Sequence, residues 1–203
     1  SDDYTRVKFQ FADSTYWADE LYYDHPVTGV TWYGAREYAA FYGLRLPTEV
    51  EWEIAARGMR LGTQHLYPWE DFTEVDSTYT NYYGSDDPYE GSRIPTTPVG
   101  AFNGSPLGGV LTEDAVGPFA TYDQAGNAAE WCSDWYSSAV YDELEEEIGT
   151  PIDPQGPDFG TDRVLRGGSW AQFKDQLRLT NRQAADPATT APWIGFRTAY
   201  TVY

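Results

Sequence analysis

Apolar positions recur at helical spacing in two places along this chain. Trp32, Ala35, Ala39 and Tyr42 fall on one face of a helix that Thr31 can cap and Gly43 can stop. Thr48 follows Pro47 and stands three residues before Glu51, the spacing of a capping box, which predicts a second helix ending at Gly58 with Val50, Trp52 and Ile54 as anchors. Elsewhere the apolar runs are short. Val164-Leu165 and Ile194-Gly195-Phe196 read as strands, and the glycine in the second marks a bulge or a close backbone approach. Between them, Arg166-Gly167-Gly168-Ser169-Trp170 forms a turn, and residues 171–193 show neither helical nor alternating periodicity. That predicts a displayed loop held at both ends. Gly58 to Pro98 is loop-rich and acidic, and Tyr141 to Ile148 reads as a surface excursion with one helical turn, followed by a loop stiffened by Pro151, Pro154 and Pro157.

Composition narrows the function classes. With 203 residues, 41% hydrophobic, the chain can build one sizeable core, and its eight Trp and seventeen Tyr suit a fold with little regular structure whose rings fill the core and furnish a binding face. Net charge is −19, from 32 acidic and 13 basic residues, which argues against nucleic-acid partners, because affinity for phosphates comes from Lys and Arg. No apolar run approaches the ~20 residues of a membrane span. Cys132 is alone, so no intramolecular disulfide can form, and it reads as a small buried apolar side chain rather than a nucleophile. His25 and His65 stand beside apolar residues and read as structural.

Several motifs occur in order: Asp24-His25-Pro26-Val27 with Val30-Thr31-Trp32-Tyr33, then Leu44-Arg45-Leu46-Pro47-Thr48-Glu49-Val50-Glu51-Trp52-Glu53. After Tyr67-Pro68-Trp69 come Pro98-Val99-Gly100-Ala101-Phe102, Tyr122 through Trp131, and the Arg-Gly-Gly-Ser-Trp and Gly-Phe-Arg segments around residues 166 and 195. Over residues 24–200 this set resembles the formylglycine-generating enzyme (sulfatase-modifying factor) family. The resemblance implies an α+β fold of C-type lectin type, loop-rich, with few short strands and two main helices. It places a domain at 24–203 after an N-terminal segment 1–23 that is expected to be a shortened remnant of a longer portion. It also implies structural calcium at two loops. One is matched by Asn81, the Tyr82 carbonyl, Asp87 and the Tyr89 carbonyl, and the other by Asp123, the Gly126 and Ala128 carbonyls and Glu130. Hard oxygen donors of this kind suit calcium.

Active members carry two cysteines three and eight residues beyond the serine of Gly-Gly-Ser, and these bind copper. Here those positions are Gln172 and Leu177. Copper(I) selects thiolates, so the resemblance implies a member with no copper and no oxidase chemistry. The related oxygenases that hold iron use three histidines, and two are present.

A frame that has lost its thiols can still display a loop. The expected function is non-catalytic binding of a protein or other surface ligand through Trp170, Ala171, Gln172, Phe173, Asp175, Gln176, Thr180, Arg182, Gln183, Ala185, Asp186, Thr189, Thr190 and Trp193. Among proteins resembling this family are the variable proteins of diversity-generating retroelements, which vary residues between equivalent segments. Ala171, Phe173, Asp175, Thr180 and Asp186 are among the residues compatible with adenine-directed change of an Asn codon, whereas Gln172, Lys174, Gln176, Gln183 and Trp193 are not. That reading expects a cell-surface or virion location. The alternatives are a scaffold or regulatory domain of the same family, or an enzyme with altered chemistry drawing on Ser169, Asp175 or Asp186, which have no base of the usual type near them.

Overall fold

A computed structural model describes residues 7–10, 15–18, 20–58, 65–69, 74–90, 95–146 and 154–201. Residues 147–153, the end of the predicted Tyr141–Ile148 excursion with Pro151 after it, and parts of the 1–23 and 58–98 segments lie outside them. Within that segment, β1 (Val7–Gln10) and β2 (Thr15–Ala18) pair as an antiparallel hairpin.

The first helix, α1, spans Trp32–Phe41, and its cap is the predicted one, Thr31 Oγ1 accepting from the Gly34 N–H at 3.0 Å. Trp32, Ala35 and Ala39 are buried, while Tyr42 lies beyond the last turn and is 60% exposed. The second helix, α2 (Glu49–Arg57), begins on the expected capping box. The Glu51 N–H donates to Thr48 Oγ1 at 3.1 Å, and the Thr48 N–H donates to Glu51 Oε2 at 2.9 Å. Two of its three expected anchors are displaced. Trp52 is buried, but Ile54 is exposed and Val50 half-buried, and the buried face is Glu49, Trp52 and Ala56. A buried glutamate at that position reverses the apolar pattern, and its reason lies in the arginines described below.

Two short strands, β3 (Pro106–Leu107) and β4 (Val110–Leu111), make a small ribbon, and α3 covers Val140–Glu146. The main sheet contains β5 (Ala129–Trp135), β6 (Arg163–Arg166), β7 (Gln183–Ala185) and β8 (Ile194–Phe196) in the order β7-β6-β5-β8. Strand β6 is antiparallel to both neighbours, whereas β8 runs parallel to β5, with Glu130 opposite Gly195. Gly195 is there for lack of a side chain, since a Cβ on it would stand 2.6 Å from the Val27 carbonyl oxygen. Three apolar clusters surround the sheet: one around Trp32, Trp131 and Leu165; one around Tyr67, Trp69 and Phe102; and one around Trp52, Cys132 and Val164.

Candidate functional site

The segment between β6 and β8 is less free than its composition suggests. Gly168 has φ +69°, and a Cβ there would lie 2.6 Å from Leu177 Cδ2 and 2.8 Å from the Gln176 carbonyl. The chain after it therefore packs directly beneath the turn. Leu177, at the end of a 3-10 turn over Lys174–Leu177, is fully buried in the Tyr67–Trp69–Phe102 cluster, and Leu179 is fully buried beside Cys132. The predicted displayed loop is thus anchored at its middle. Leu177-Arg178-Leu179 does alternate apolar and polar, a three-residue trace too short to count as a period.

Arg182 corrects the expectation further. Its Nε and Nη2 donate to the two Glu49 carboxylate oxygens at 2.6 and 2.7 Å, its Nη1 donates to the Ser137 carbonyl, and its guanidinium lies 4.9 Å from the ring centres of Tyr136 and Tyr141. The buried Glu49 also accepts from the fully buried Arg166 at 3.1 Å. Arg182 therefore closes a buried ion cluster and is not a displayed contact. Removing one member of such a cluster leaves an uncompensated charge, which typically costs about 3–5 kcal/mol.

Three glutamines hold the turn together. Gln172 Nε2 donates to Gln183 Oε1 at 2.7 Å, Ser169 Oγ donates to Gln172 Oε1 at 3.2 Å, and the Phe173 N–H donates to Gln176 Oε1 at 3.2 Å. Gln183 and Ala185 sit in β7, where Ala185 packs against the Trp32 cluster. Trp170 is half-buried, with its indole N–H buried and unpartnered among the described residues. Ala171 and Thr189 are half-buried.

What remains outward is a smaller set. Phe173 is 63% exposed and meets the 54% exposed Tyr83 edge to face at 5.0 Å. The Tyr83 N–H donates to the Gln172 carbonyl at 2.9 Å, so the 81–90 segment and the 171–193 segment share one surface. Tyr83 was missed in the sequence, since nothing local in Tyr82-Tyr83-Gly84 shows which tyrosine points out. Asp175, Thr180, Asp186, Thr190 and Trp193 are also exposed, Asp175 in an ion pair with Arg178 and Asp186 capping the Ala188 N–H.

The chemistry available here is limited. Ser169 is fully buried, with its hydroxyl on Gln172. Cys132 is fully buried on β5 in a different cluster, and burial pushes its thiol well above the usual range, so it occupies the expected apolar position. His25 packs edge-on between Tyr22 and Tyr89 and bonds Thr96 at 2.9 Å.

The two candidate cation loops differ in charge balance. In the first, Asp87 is buried, accepts from Ser85 Oγ at 2.5 Å and from the Tyr89 N–H at 2.8 Å, and has no cationic side chain paired with it among the described residues. Burial raises its pKa, the behaviour of a carboxylate that lacks a countercharge. Asn81 keeps its carbonyl oxygen available, because its amide nitrogen donates to the Pro95 carbonyl at 2.6 Å, while the Tyr82 carbonyl already accepts from the Ser85 N–H at 3.1 Å. This donor set fits a hard cation. In the second loop, Glu130 is closed onto Arg197 through both oxygens and also accepts from the Trp52 indole N–H at 2.6 Å. Asp123, held by the Gly100 N–H at 2.7 Å, is pushed by burial up to about 6. A cation there would have to share Glu130 with Arg197, so this set fits poorly. The Gly126 N–H donates to the Gly167 carbonyl at 2.8 Å and the Trp170 N–H to the Asn127 carbonyl, fastening this loop under the Gly-Gly turn.

Against this geometry stand the likenesses to known proteins. The model of the sulfatase-modifying factor enzyme 1-like domain matches residues 10–202. The serine/threonine-protein kinase Pkn1 of Chlamydia trachomatis is 43% identical over 181 residues, 89% of this chain and 25% of that protein. The formylglycine-generating enzyme of Thermomonospora curvata is 37% identical over 184 residues, 87% of this chain and 55% of that protein. The chain thus spans about a quarter to about half of these relatives. Among solved structures, Treponema denticola variable protein 1 superposes with a TM-score of 0.59 at 25% identity, covering 86% of this chain and 70% of that one. The expected α+β fold of C-type lectin type, with few short strands and helices, is borne out. Among the described residues, no helix is long and apolar enough to cross a membrane.

Proposed function

This chain belongs to the sulfatase-modifying factor (formylglycine-generating enzyme) family, and from that premise we propose that it is a non-catalytic member that binds a protein or other surface ligand through the face built by residues 171–193 and Tyr83. The observation that carries this reading is the fate of the two positions that hold thiols in active members. Leu177 is fully buried in the apolar floor, and the Gln172 amide is tied to Ser169 and Gln183, so neither offers a metal ligand of the soft kind copper(I) selects. Above them, Phe173 and Tyr83 form an exposed aromatic pair with polar residues around it, the composition of a binding hot spot.

The likeness to a variable protein supports a diversified face of the retroelement type. Comparison of sibling genes tests it. Substitutions should cluster at exposed positions such as Phe173, Asp175, Thr180, Asp186 and Thr190, and should spare Leu177, Leu179 and Arg182, which the fold needs. Changes scattered evenly over the chain would remove the diversified reading. Turnover of a thiol peptide in the presence of copper and oxygen would remove the non-catalytic one. The second reading, a regulatory or scaffold domain, is favoured by the 43% identity to a kinase of which this chain spans a quarter. We also assign structural calcium to the first loop, through Asn81, the Tyr82 and Tyr89 carbonyls and Asp87. It would neutralise a buried carboxylate and order a segment that touches the binding face.

A further inference from the structure

At the far end of β6 from the Gly-Gly turn, a pocket of about 390 Å³ opens beside α1 and β5, bordered by Trp32, Arg36, Arg45, Leu46, Ser133 and Arg163. Three of the chain's 13 basic residues meet here, in a protein of net charge −19. Their partners set them apart. Arg45 is fully engaged, with Nη1 and Nη2 on the Glu51 carboxylate at 2.5 and 2.6 Å and Nε on Thr201 at 2.8 Å. Arg163 has no carboxylate partner among the described residues. Its Nη1 donates to the Ser133 carbonyl and its Nε is buried without a hydrogen bond.

The Arg163 guanidinium carbon lies 3.8 Å from the ring centre of Trp32 and 3.4 Å from that of Trp135, so the cation is flanked by two indoles. Arg36 lies over the same Trp32 at 5.1 Å, and among the described residues its one ion pair is with its exposed neighbour Glu37. A surface pair of that kind is weak and exchanges readily for another anion. Burial pushes the Arg163 pKa down, with the like charge of Arg36 adding to it and Tyr33 and Asp134 opposing it, although a guanidinium stays charged at neutral pH. Arg163 is therefore a partly desolvated cation with unused donor capacity, next to a second cation whose partner is replaceable.

We propose that this pocket binds a small organic monocarboxylate, with its carboxylate across Arg163 and Arg36 and its apolar body against Trp32 and Leu46. The volume is that of a small-molecule site, in which Trp32 and Leu46 supply the apolar surface and the arginines, Thr48, Ser133 and Thr201 supply the polar one. A dianion such as phosphate is disfavoured, because Glu37 and Glu51 flank the arginines and Asp134 adds a further acidic group acting on Arg163, which leaves too little positive charge to meet it. An uncharged ligand would leave Arg163 as it is. The site is separate from the 171–193 face, and its occupancy does not depend on that face binding anything.

The test is a titration with benzoate, with benzamide as its uncharged isostere and inorganic phosphate as the dianion, followed by the indole N–H resonances of Trp32 and Trp135. Benzoate should shift both resonances saturably, and benzamide and phosphate should bind at least about tenfold more weakly. Arg36→Gln, at an exposed position, should weaken benzoate about tenfold without changing the thermal midpoint, and Arg163→Gln should abolish it. If Arg163→Gln does not fold, the Arg36→Gln and benzamide arms decide. The proposal is overturned if benzamide binds as well as benzoate, if phosphate binds more tightly, if Arg36→Gln binds benzoate normally, or if no saturable shift occurs.

Discussion

Asp134 is buried on β5, where its Oδ2 accepts from the Glu49 N–H at 2.8 Å and from Ser133 Oγ at 3.0 Å. Burial, with a contribution from the charge of Glu49, raises its pKa from 3.8 to about 6. The folded protein therefore holds a proton that the unfolded chain has released between those values, and stability from this group falls as pH rises through that window. Asp134→Asn keeps the acceptor oxygen and removes the titration. The wild-type minus variant difference in unfolding free energy should fall by about 2 kcal/mol between about pH 4 and about pH 7, measured in urea. Parallel pH profiles would mean that the carboxyl is already ionised in the fold. Residues of this kind were the least legible in the sequence. Glu49 and Arg182 look like surface charges, and only the fold shows that they neutralise each other beneath Tyr136 and Tyr141. Tyr42 and Ile54 look like core and are exposed, because α1 ends one residue before the first and α2 turns the second outward.

Elements with local chemistry could be read in advance, and elements defined by distant partners could not. The Thr31 cap and the Thr48–Glu51 box both stand where the spacing put them, since a cap is settled within four residues of chain. The strand β5 escaped notice although it is the longest in the sheet. Five of its seven residues are buried, Ala129 through Cys132 in an unbroken run, so most of it carries no two-residue period. Strand β8 was legible through its glycine, and that glycine gives a test. Gly195→Ala would place a methyl 2.6 Å from the Val27 carbonyl and 3.4 Å from the Ala128 Cβ, neither of which can swing away. It should cost about 1–3 kcal/mol by denaturant midpoint, with the parallel β5–β8 pairing as the weakened contact. An unchanged midpoint would show that the Thr28 segment shifts freely.

For the molecule as a whole, the large acidic excess and the loop-rich fold meet in the question of cations. Both calcium loops were expected from the family resemblance, and the structure separates them by charge: Asp87 has no cationic side chain paired with it among the described residues, and Glu130 has Arg197. Adding calcium at about 100 times its dissociation constant should stabilise the protein by about 2.7 kcal/mol, and chelation should reverse the gain. Asp87→Asn should remove most of that gain, whereas Glu130→Gln should destabilise the protein whether or not calcium is present. A gain that survives Asp87→Asn would place the ion elsewhere.

The two strands that bracket residues 171–193 lie on either side of the same strand, β5. Entry to and exit from this segment are thereby fixed by a common neighbour, which makes the region a cassette. Foreign peptides grafted at its outer positions should inherit the spacing of the sheet rather than set their own, provided the two leucine plugs and the Arg182 clasp travel with them.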